Sequence, residues 1–198
     1  MKRTTLPAVL ALLAALLCAS HSHAQTIRSY FSPNGGTAAA IIAEINNAHT
    51  SIDIAAYEIT YTPIVTAILA AKQRGVSCRI IIDPKADNSK AKNLRALNAA
   101  AIPIRADHHE KLMHNKYAIL DATTLITGSY NWSNDAELRN AENTLILRDP
   151  QTIADFAADF ANHWNHSIPT TPGPPGIKRP TTPRANTFTT PTSPPQKE

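Results

Sequence analysis

Two short apolar runs, Lys116–Leu120 and Thr124–Thr127, constrain the fold of this chain more than any other feature. Only Asp121-Ala122-Thr123 separates them. A connection that short joins neighbouring antiparallel strands, because a parallel pair needs a crossover of a dozen or more residues. The sequence therefore predicts a hairpin at this point.

Polar side chains are concentrated at the open end of that hairpin. His114 and Lys116 stand two residues apart, so on a continuing strand they point to the same face. Ser129 and Asn131 have the same spacing after Gly128, where the second run ends. An imidazole, an ammonium, a hydroxyl and an amide are thus expected at the ends of two adjacent strands. Such a group can grip a phosphate, so we interpret it as a site rather than part of a core.

The rest of the chain alternates between strand-like and helix-like patterns. Pro63 suits the first turn of one helix and Gly75 its C-terminal cap. Repeated β–α alternation predicts an α/β layered fold with a mixed β-sheet flanked by helices on both faces. The predicted strands are Ile27–Phe31, Ser51–Ile59, Val76–Ile82, Ile102–Ala106 and Asn143–Leu147 besides the hairpin, and the predicted helices are Thr37–Ala48, Pro63–Arg74, Ser89–Ala100 and Pro150–Trp164.

The residues at the hairpin resemble the signature of the phospholipase D superfamily, His-x-Lys-x4-Asp followed by Gly-Ser-x-Asn. The resemblance runs from about Ser29 to Trp164 and is strongest to short, secreted bacterial endonucleases that carry one copy of the motif. The positions that match the signature are His114, Lys116, Asp121, Gly128, Ser129 and Asn131.

The resemblance implies a two-step mechanism without a metal ion or other cofactor. His114 would attack phosphorus and form a covalent phosphohistidine, which splits one displacement into two. Lys116, Ser129 and Asn131 would stabilise the charge on the phosphate oxygens. Glu142 matches the superfamily acid that holds the other ring nitrogen of the nucleophile.

Asp121 belongs to the same implied catalytic set, but its position in the sequence indicates another role. It stands at odd spacing from His114, so on a regular strand it faces the opposite side of the sheet. We therefore expect Asp121 to brace the framework rather than to touch substrate.

The complete motif occurs once in the chain, whereas active sites of the superfamily contain two copies. This difference predicts a homodimer in which the two His114 side chains face each other across a two-fold axis. One imidazole would be the nucleophile and the other the acid that protonates the leaving oxygen. Coupled groups of this kind predict a bell-shaped dependence of rate on pH.

Both ends of the chain differ from its centre. Residues 1–24 have a basic start, an apolar stretch and Ser22-His23-Ala24, the pattern of a cleaved signal peptide. Residues 25–166 form the predicted catalytic domain, and 167–198 hold nine of the fifteen prolines, which predicts a disordered Pro/Thr-rich tail. These segments predict a periplasmic or secreted protein that is not stably inserted in a membrane once the signal is removed.

Charge and cysteine content restrict the function only weakly. The net charge is +4, but residues 1–24 carry +2 and residues 167–198 carry +3, which leaves the domain at −1. Within the domain, Lys72–Arg105 is strongly basic, which fits either a nucleic-acid surface or a solvated helix face. Cys78 is the single cysteine left once the signal is removed, and it is expected to be a small buried hydrophobe.

The expected function is non-specific cleavage of DNA, with RNA as a second nucleic-acid substrate. A phospholipid phosphodiesterase could use the same groups, and a non-catalytic polyanion-binding protein is a further alternative. A metal-dependent hydrolase could use His108, His109 and His114 with Asp107 or Glu110, although their spacing matches no familiar zinc pattern. Tyr57 and Glu58 could reach the cleft, or Tyr57 could belong to the core.

Overall fold

A computed structural model describes residues 27–86 and 92–170 of the chain. Its centre is one mixed sheet of eight strands in the order β1-β7-β6-β5-β2-β3-β4-β8. Strands β2, β3 and β4 are parallel to one another, and every other neighbouring pair is antiparallel. The strands are β1 (Arg28–Ser32), β2 (Ser51–Ala56), β3 (Ser77–Ile82), β4 (Ile104–Ala106), β5 (Lys116–Leu120), β6 (Thr124–Gly128), β7 (Glu142–Leu147) and β8 (Ile168–Pro169).

Helices cover both faces of the sheet, as the sequence predicted. Pro63 lies in the first turn of α2, and the Asp149 side chain caps α5 by accepting a hydrogen bond from Thr152 N at 2.8 Å. Both are typical of helix starts. The helices of the described residues are α1 (Thr37–Asn47), α2 (Thr62–Gln73), α3 (Lys92–Ala99), α4 (Asn134–Leu138) and α5 (Pro150–His166). None of these helices is long and apolar enough to span a membrane.

The sheet separates two hydrophobic clusters. The larger one packs α1, α2 and α3 against one face and contains the buried Cys78. On the other face, Ile153 and Phe160 of α5 pack against Tyr117 and Leu125. Burial raises the pKa of the Cys78 thiol and favours its neutral form, in agreement with the small buried hydrophobe that was expected.

Two short elements were absent from the sequence prediction. Helix α4 has only five residues, too few to show a 3.6-residue pattern. Strand β8 pairs with β4, and Ser167 is buried, so the folded region continues past the predicted boundary at residue 166. Arg105 fixes this extension by donating two hydrogen bonds to the Ser167 carbonyl. The predicted signal peptide, and the tail beyond Thr170, lie outside the described residues.

The hairpin is formed as predicted and sits in the middle of the sheet. Tyr117 is paired with Thr127, and Gly128 with Thr144 of the next strand. On the other side of β5, Ala56 is paired with Lys116. Four strand ends therefore meet on one side of the sheet, at the ends of its central strands. They are the end of β2, the start of β5, the end of β6 and the start of β7, and we call this side the active edge.

Candidate active site

His114 lies at this edge, two residues before β5 begins, with its side chain exposed. The predicted extended run continues outside the strand proper, because Tyr57 N donates a hydrogen bond to Asn115 O at 2.9 Å. Met113 is buried, and its N–H is bound by the buried Asp83 carboxylate at 2.9 Å. The backbone on both sides of His114 is thus held, while the imidazole is left accessible.

Tyr57 lies beside both His114 and Lys116 of the motif. Its ring meets the His114 imidazole edge-on, with centroids 5.1 Å apart. Lys116 Nζ lies 5.9 Å from the centroid of the same ring. The half-buried Tyr57 therefore belongs to the site, and the position of the residue at the end of β2 was the only sequence signal for this.

Lys116 is half-buried, and its ammonium is directed back toward the motif. Nζ donates a hydrogen bond to the His114 carbonyl at 2.8 Å. Partial burial lowers the pKa of Lys116, and the nearby carboxylates of Glu142 and Glu58 oppose that effect. The side chain therefore supplies a positive charge that water screens only in part.

Ser129 and Glu142 form the polar centre of the neighbouring strand ends. Ser129 Oγ donates a hydrogen bond to Glu142 Oε2 at 2.6 Å and accepts one from Asn143 N at 3.1 Å. The other oxygen of Glu142 accepts a hydrogen bond from Asn140 Nδ2 at 3.1 Å. The described chain thus uses Glu142 to hold Ser129, and it shows no bond from Glu142 to His114, the contact that the resemblance implied.

Gly128 allows β6 and β7 to approach closely beside the site. A Cβ at this position would lie 2.2 Å from the Asn143 carbonyl oxygen, which is a backbone atom that cannot move aside. Three residues later, Asn131 Oδ1 is buried and accepts no hydrogen bond from the described residues. Tyr130 and Trp132 are both buried, so they pack beneath the site rather than stacking on a substrate.

Asp121 lies at the opposite end of β5 and is not gathered with the other motif residues. Its carboxylate accepts hydrogen bonds from the backbone N–H groups of His49, Thr50 and Ser51 at 2.8–2.9 Å. Burial alone would raise the pKa of Asp121, but these bonds outweigh it and lower the pKa to about 2. Asp121 therefore braces the start of β2 and lies apart from the other motif residues.

The histidines before the motif do not assemble with His114 into a metal site. His108 is exposed, and His109 Nδ1 lies 2.8 Å from Glu110 Oε1. His109 and Lys111 have the His-x-Lys spacing of the motif. They do not form a second complete motif, because the position that would require Asp is occupied by Lys116. Asp107 and Glu110 are instead grouped with two histidines from the end of α5.

Part of the basic region is used by the fold. Arg79 pairs with Asp53 at 2.6 Å and stacks on aromatic rings of α5. Arg105 and Arg74 donate to backbone carbonyls. These three guanidinium groups stabilise the domain, so the predicted basic face is smaller than the sequence indicates.

Comparison with known proteins identifies the family. The family model described as cardiolipin synthase, PLD-like domain, matches residues 41–164. A phospholipase D from Rickettsia felis is 33% identical over 136 residues, which cover 69% of this chain and 68% of that protein. A mitochondrial cardiolipin hydrolase from Chlamydomonas reinhardtii is 33% identical over 121 residues, but the chain spans only 54% of its length.

Two solved structures share the fold over nearly their whole length. Nuc from Salmonella typhimurium, described as a phospholipase D family member, superposes with a TM-score of 0.69 at 31% identity and covers 73% of this chain and 97% of its own. NucT from Helicobacter pylori gives 0.66 at 25% identity and covers 73% and 99%. The chain therefore belongs to the phospholipase D superfamily of phosphodiesterases, in the subfamily whose members carry a single copy of the motif.

Proposed function

We propose that this protein is a metal-independent nuclease that cleaves DNA, and RNA as a second substrate, without sequence preference. The reaction passes through a phosphohistidine on His114, at an active site formed between two copies of the chain. The observation that carries this proposal is the exposed His114 beside the ammonium of Lys116. The active edge of the described chain holds one such pair, whereas a superfamily active site uses two, so the second pair would come from another copy of the chain.

In the proposed chemistry the two imidazoles have different roles: one forms and then loses a bond to phosphorus, and the other donates and then takes back a proton. A ring nitrogen of His114 attacks phosphorus, and the P–O bond to the leaving oxygen breaks as the new N–P bond forms. The His114 of the second copy donates a proton to that oxygen. It then takes a proton from water, whose oxygen attacks phosphorus and breaks the N–P bond. Lys116, Ser129 and Asn131 stabilise the negative charge that develops in both steps.

Exposed apolar side chains beside the site support the dimer. Phe31 and Leu138 are 59% and 62% exposed, and Leu145 is 36% exposed. Phe31 is paired with Asn143 in the sheet, next to Glu142. Large exposed apolar groups are typical of protein interfaces, so this surface suits a second copy placed with its His114 opposite the first.

We propose nucleic acid as the substrate because two structural neighbours that match over nearly their full length, Nuc and NucT, favour a nuclease. The described residues contain no module resembling a base-reading element, so contacts to phosphate and sugar are expected. A phospholipid is the second candidate substrate, and the curated relatives named phospholipase D and cardiolipin hydrolase favour it.

The signal-peptide pattern of residues 1–24 supports a periplasmic or secreted location. N-terminal sequencing of the protein isolated from its cells tests this, and we expect the chain to begin at Gln25.

The substrate test incubates the protein with supercoiled plasmid and, separately, with cardiolipin-containing vesicles, each with and without EDTA. We expect plasmid nicking that survives EDTA and weakens as salt is raised. The His114→Ala variant should be inactive, and His108→Ala, which changes an exposed histidine nearby, should be fully active. Activity on vesicles alone would change the proposed substrate, and nicking by His114→Ala would contradict the proposed mechanism.

A further inference from the structure

A second cluster of ionisable groups lies between the loop that leads to His114 and the end of α5. Asp107 and Glu110 belong to this loop, and His163 and His166 to the last turn of α5. Each residue offers one ligand atom, and these four atoms all lie within 4.8 Å of one another. The proposed reaction uses none of them.

The distances within this cluster are close to those between the ligands of one tetrahedral ion. His163 Nδ1 and His166 Nε2 approach the same oxygen of Asp107 at 2.6 and 3.0 Å. The two nitrogens lie 3.8 and 3.7 Å from Glu110 Oε2. Ligand atoms of a tetrahedral Zn²⁺ site stand about 3.4 Å apart, since each metal–ligand bond is about 2.1 Å long. Small shifts of these side chains would therefore create the site.

Polar groups around the cluster already support two of its four side chains. The other ring nitrogen of His163 lies 3.5 Å from Asp159 Oδ1, and Asp159 accepts a hydrogen bond from Tyr117. A carboxylate behind a ligand histidine fixes the ring and its tautomer. On the opposite side, the second oxygen of Asp107 accepts a hydrogen bond from His109 N at 2.9 Å. Both arrangements leave the inner atoms directed at the centre of the cluster.

The buried carboxylate of Asp107 lies at the centre of the cluster. Its side chain is completely buried, yet two imidazoles converge on a single one of its oxygens. The ligand oxygen of Asp107 lies within 4.8 Å of the ligand atoms of Glu110, His163 and His166.

We propose that Asp107, Glu110, His163 and His166 bind one Zn²⁺ ion, which ties the end of α5 to the loop that precedes the catalytic histidine. Two imidazole nitrogens with two carboxylate oxygens suit zinc, whereas Mg²⁺ prefers oxygen ligands alone. Asn115 links this site to the active edge, since Asn115 Nδ2 lies 3.4 Å from His163 Nε2 and His114 is the preceding residue. The ion stabilises and positions this loop, and it touches neither phosphate nor the nucleophile. The Asp107–His163 bond remains when the ion is removed, so cleavage persists in EDTA.

The test measures binding of Zn²⁺ to the mature chain, produced without a histidine tag, by titration calorimetry and by metal analysis after dialysis. We expect about one Zn²⁺ per chain. We also expect a melting temperature about 9 °C higher in Zn²⁺ at a hundredfold excess over Kd. Mg²⁺ at the same concentration should change neither quantity.

Glu110→Gln and His166→Gln are the informative variants, because both retain the buried pair of Asp107 with His163. Each should bind Zn²⁺ at least about tenfold more weakly, and the rise in melting temperature at the same Zn²⁺ concentration should fall to about half or less. His108→Ala is the matched control, since it removes a histidine from the same loop but not from the cluster. Wild-type chain without bound Zn²⁺, or variants that bind like wild type, would overturn the proposal. These readouts do not depend on cleavage, so the zinc site and the proposed nuclease can fail separately.

Discussion

The ring of Tyr57 stands edge-on to the imidazole of His114, at an interplanar angle of 64° and a centroid separation of 5.1 Å. Tyr57 follows β2 and His114 precedes β5, and Lys116 Nζ lies over the face of the same ring. Because His114 is exposed and lies outside β5, this ring is its main lateral support in the described chain.

Replacement of Tyr57 should therefore reveal whether the ring or the hydroxyl matters. We expect Tyr57→Ala to lower kcat about tenfold or more, because an imidazole held less firmly spends less time in the attacking geometry. Tyr57→Phe keeps the ring and should retain nearly all of the wild-type kcat. Steady-state kinetics on an oligonucleotide with both variants measures this difference. Equal losses in both variants would assign the effect to the hydroxyl instead.

Glu142 should affect the rate through Ser129 and Lys116. Glu142→Gln removes the negative charge that accepts the Ser129 hydrogen bond, and such charge-assisted bonds contribute about 1.5–3 kcal/mol. We expect kcat/KM to fall by about ten- to a hundredfold. Glu44→Gln is the matched control, because Glu44 pairs with Arg148 and belongs to α1. A Glu142→Gln enzyme with wild-type kcat/KM would contradict the arrangement described for this edge.

Asp121 should contribute to stability and not to catalysis. The pKa of Asp121 is lowered from 3.8 to about 2 in the folded chain, so its ionised form is favoured by folding. The stabilisation is present above pH 4 and is lost as pH falls through about 2. We expect Asp121→Asn to lower the free energy of unfolding at pH 7 by about 1 kcal/mol, after allowance for solvent screening.

Urea unfolding of the Asp121→Asn variant at several pH values tests this expectation. The difference from wild type should shrink between pH 4 and pH 2, and kcat at pH 7 should be unchanged. Asp135→Asn is the control, because Asp135 forms a solvent-exposed pair with Arg139 and should change stability little. Loss of activity with unchanged stability would return Asp121 to the catalytic set.

Gly128 should tolerate no side chain. In Gly128→Ala the added Cβ meets the Asn143 carbonyl, so β6 and β7 must separate where Ser129 and Glu142 interact. We expect a loss of about 1–3 kcal/mol in unfolding free energy, together with lower activity. Gly75→Ala, at a helix end with open space around it and a φ of +93°, measures the backbone cost of replacing a glycine without a clash. A fully stable and active Gly128→Ala would show that the strands can part at this point.

The fold was largely predictable because the apolar patterns of most strands and helices are regular. The three-residue connection after Leu120 fixed the hairpin, and β5 has the predicted bounds. Short elements such as α4 and β8 carry no period that a sequence can show. The continuation of the domain past residue 166 depends on Arg105, which lies 62 residues from its partner Ser167.

The sequence indicated which side chains lie near one another at the candidate site, but not which hydrogen bonds they form. The motif placed His114, Lys116 and Ser129 at one edge, and the odd spacing of Asp121 indicated its separate position. The partner of Glu142 could not be read from the sequence, since Ser129 and His114 were both within reach of a carboxylate at a strand end. The pairing of Asp107 with His163 joins residues 56 positions apart that no local pattern connects.

A subunit-mixing experiment tests the central claim that two copies of His114 form one active site. Wild-type and His114→Ala chains are mixed in equal amounts, allowed to exchange subunits, and assayed for plasmid nicking at constant total concentration. If both imidazoles are required, only dimers of two wild-type chains cleave, and the activity should be about a quarter of that of pure wild type. Activity at about half, the value for chains that act independently, would contradict the shared active site.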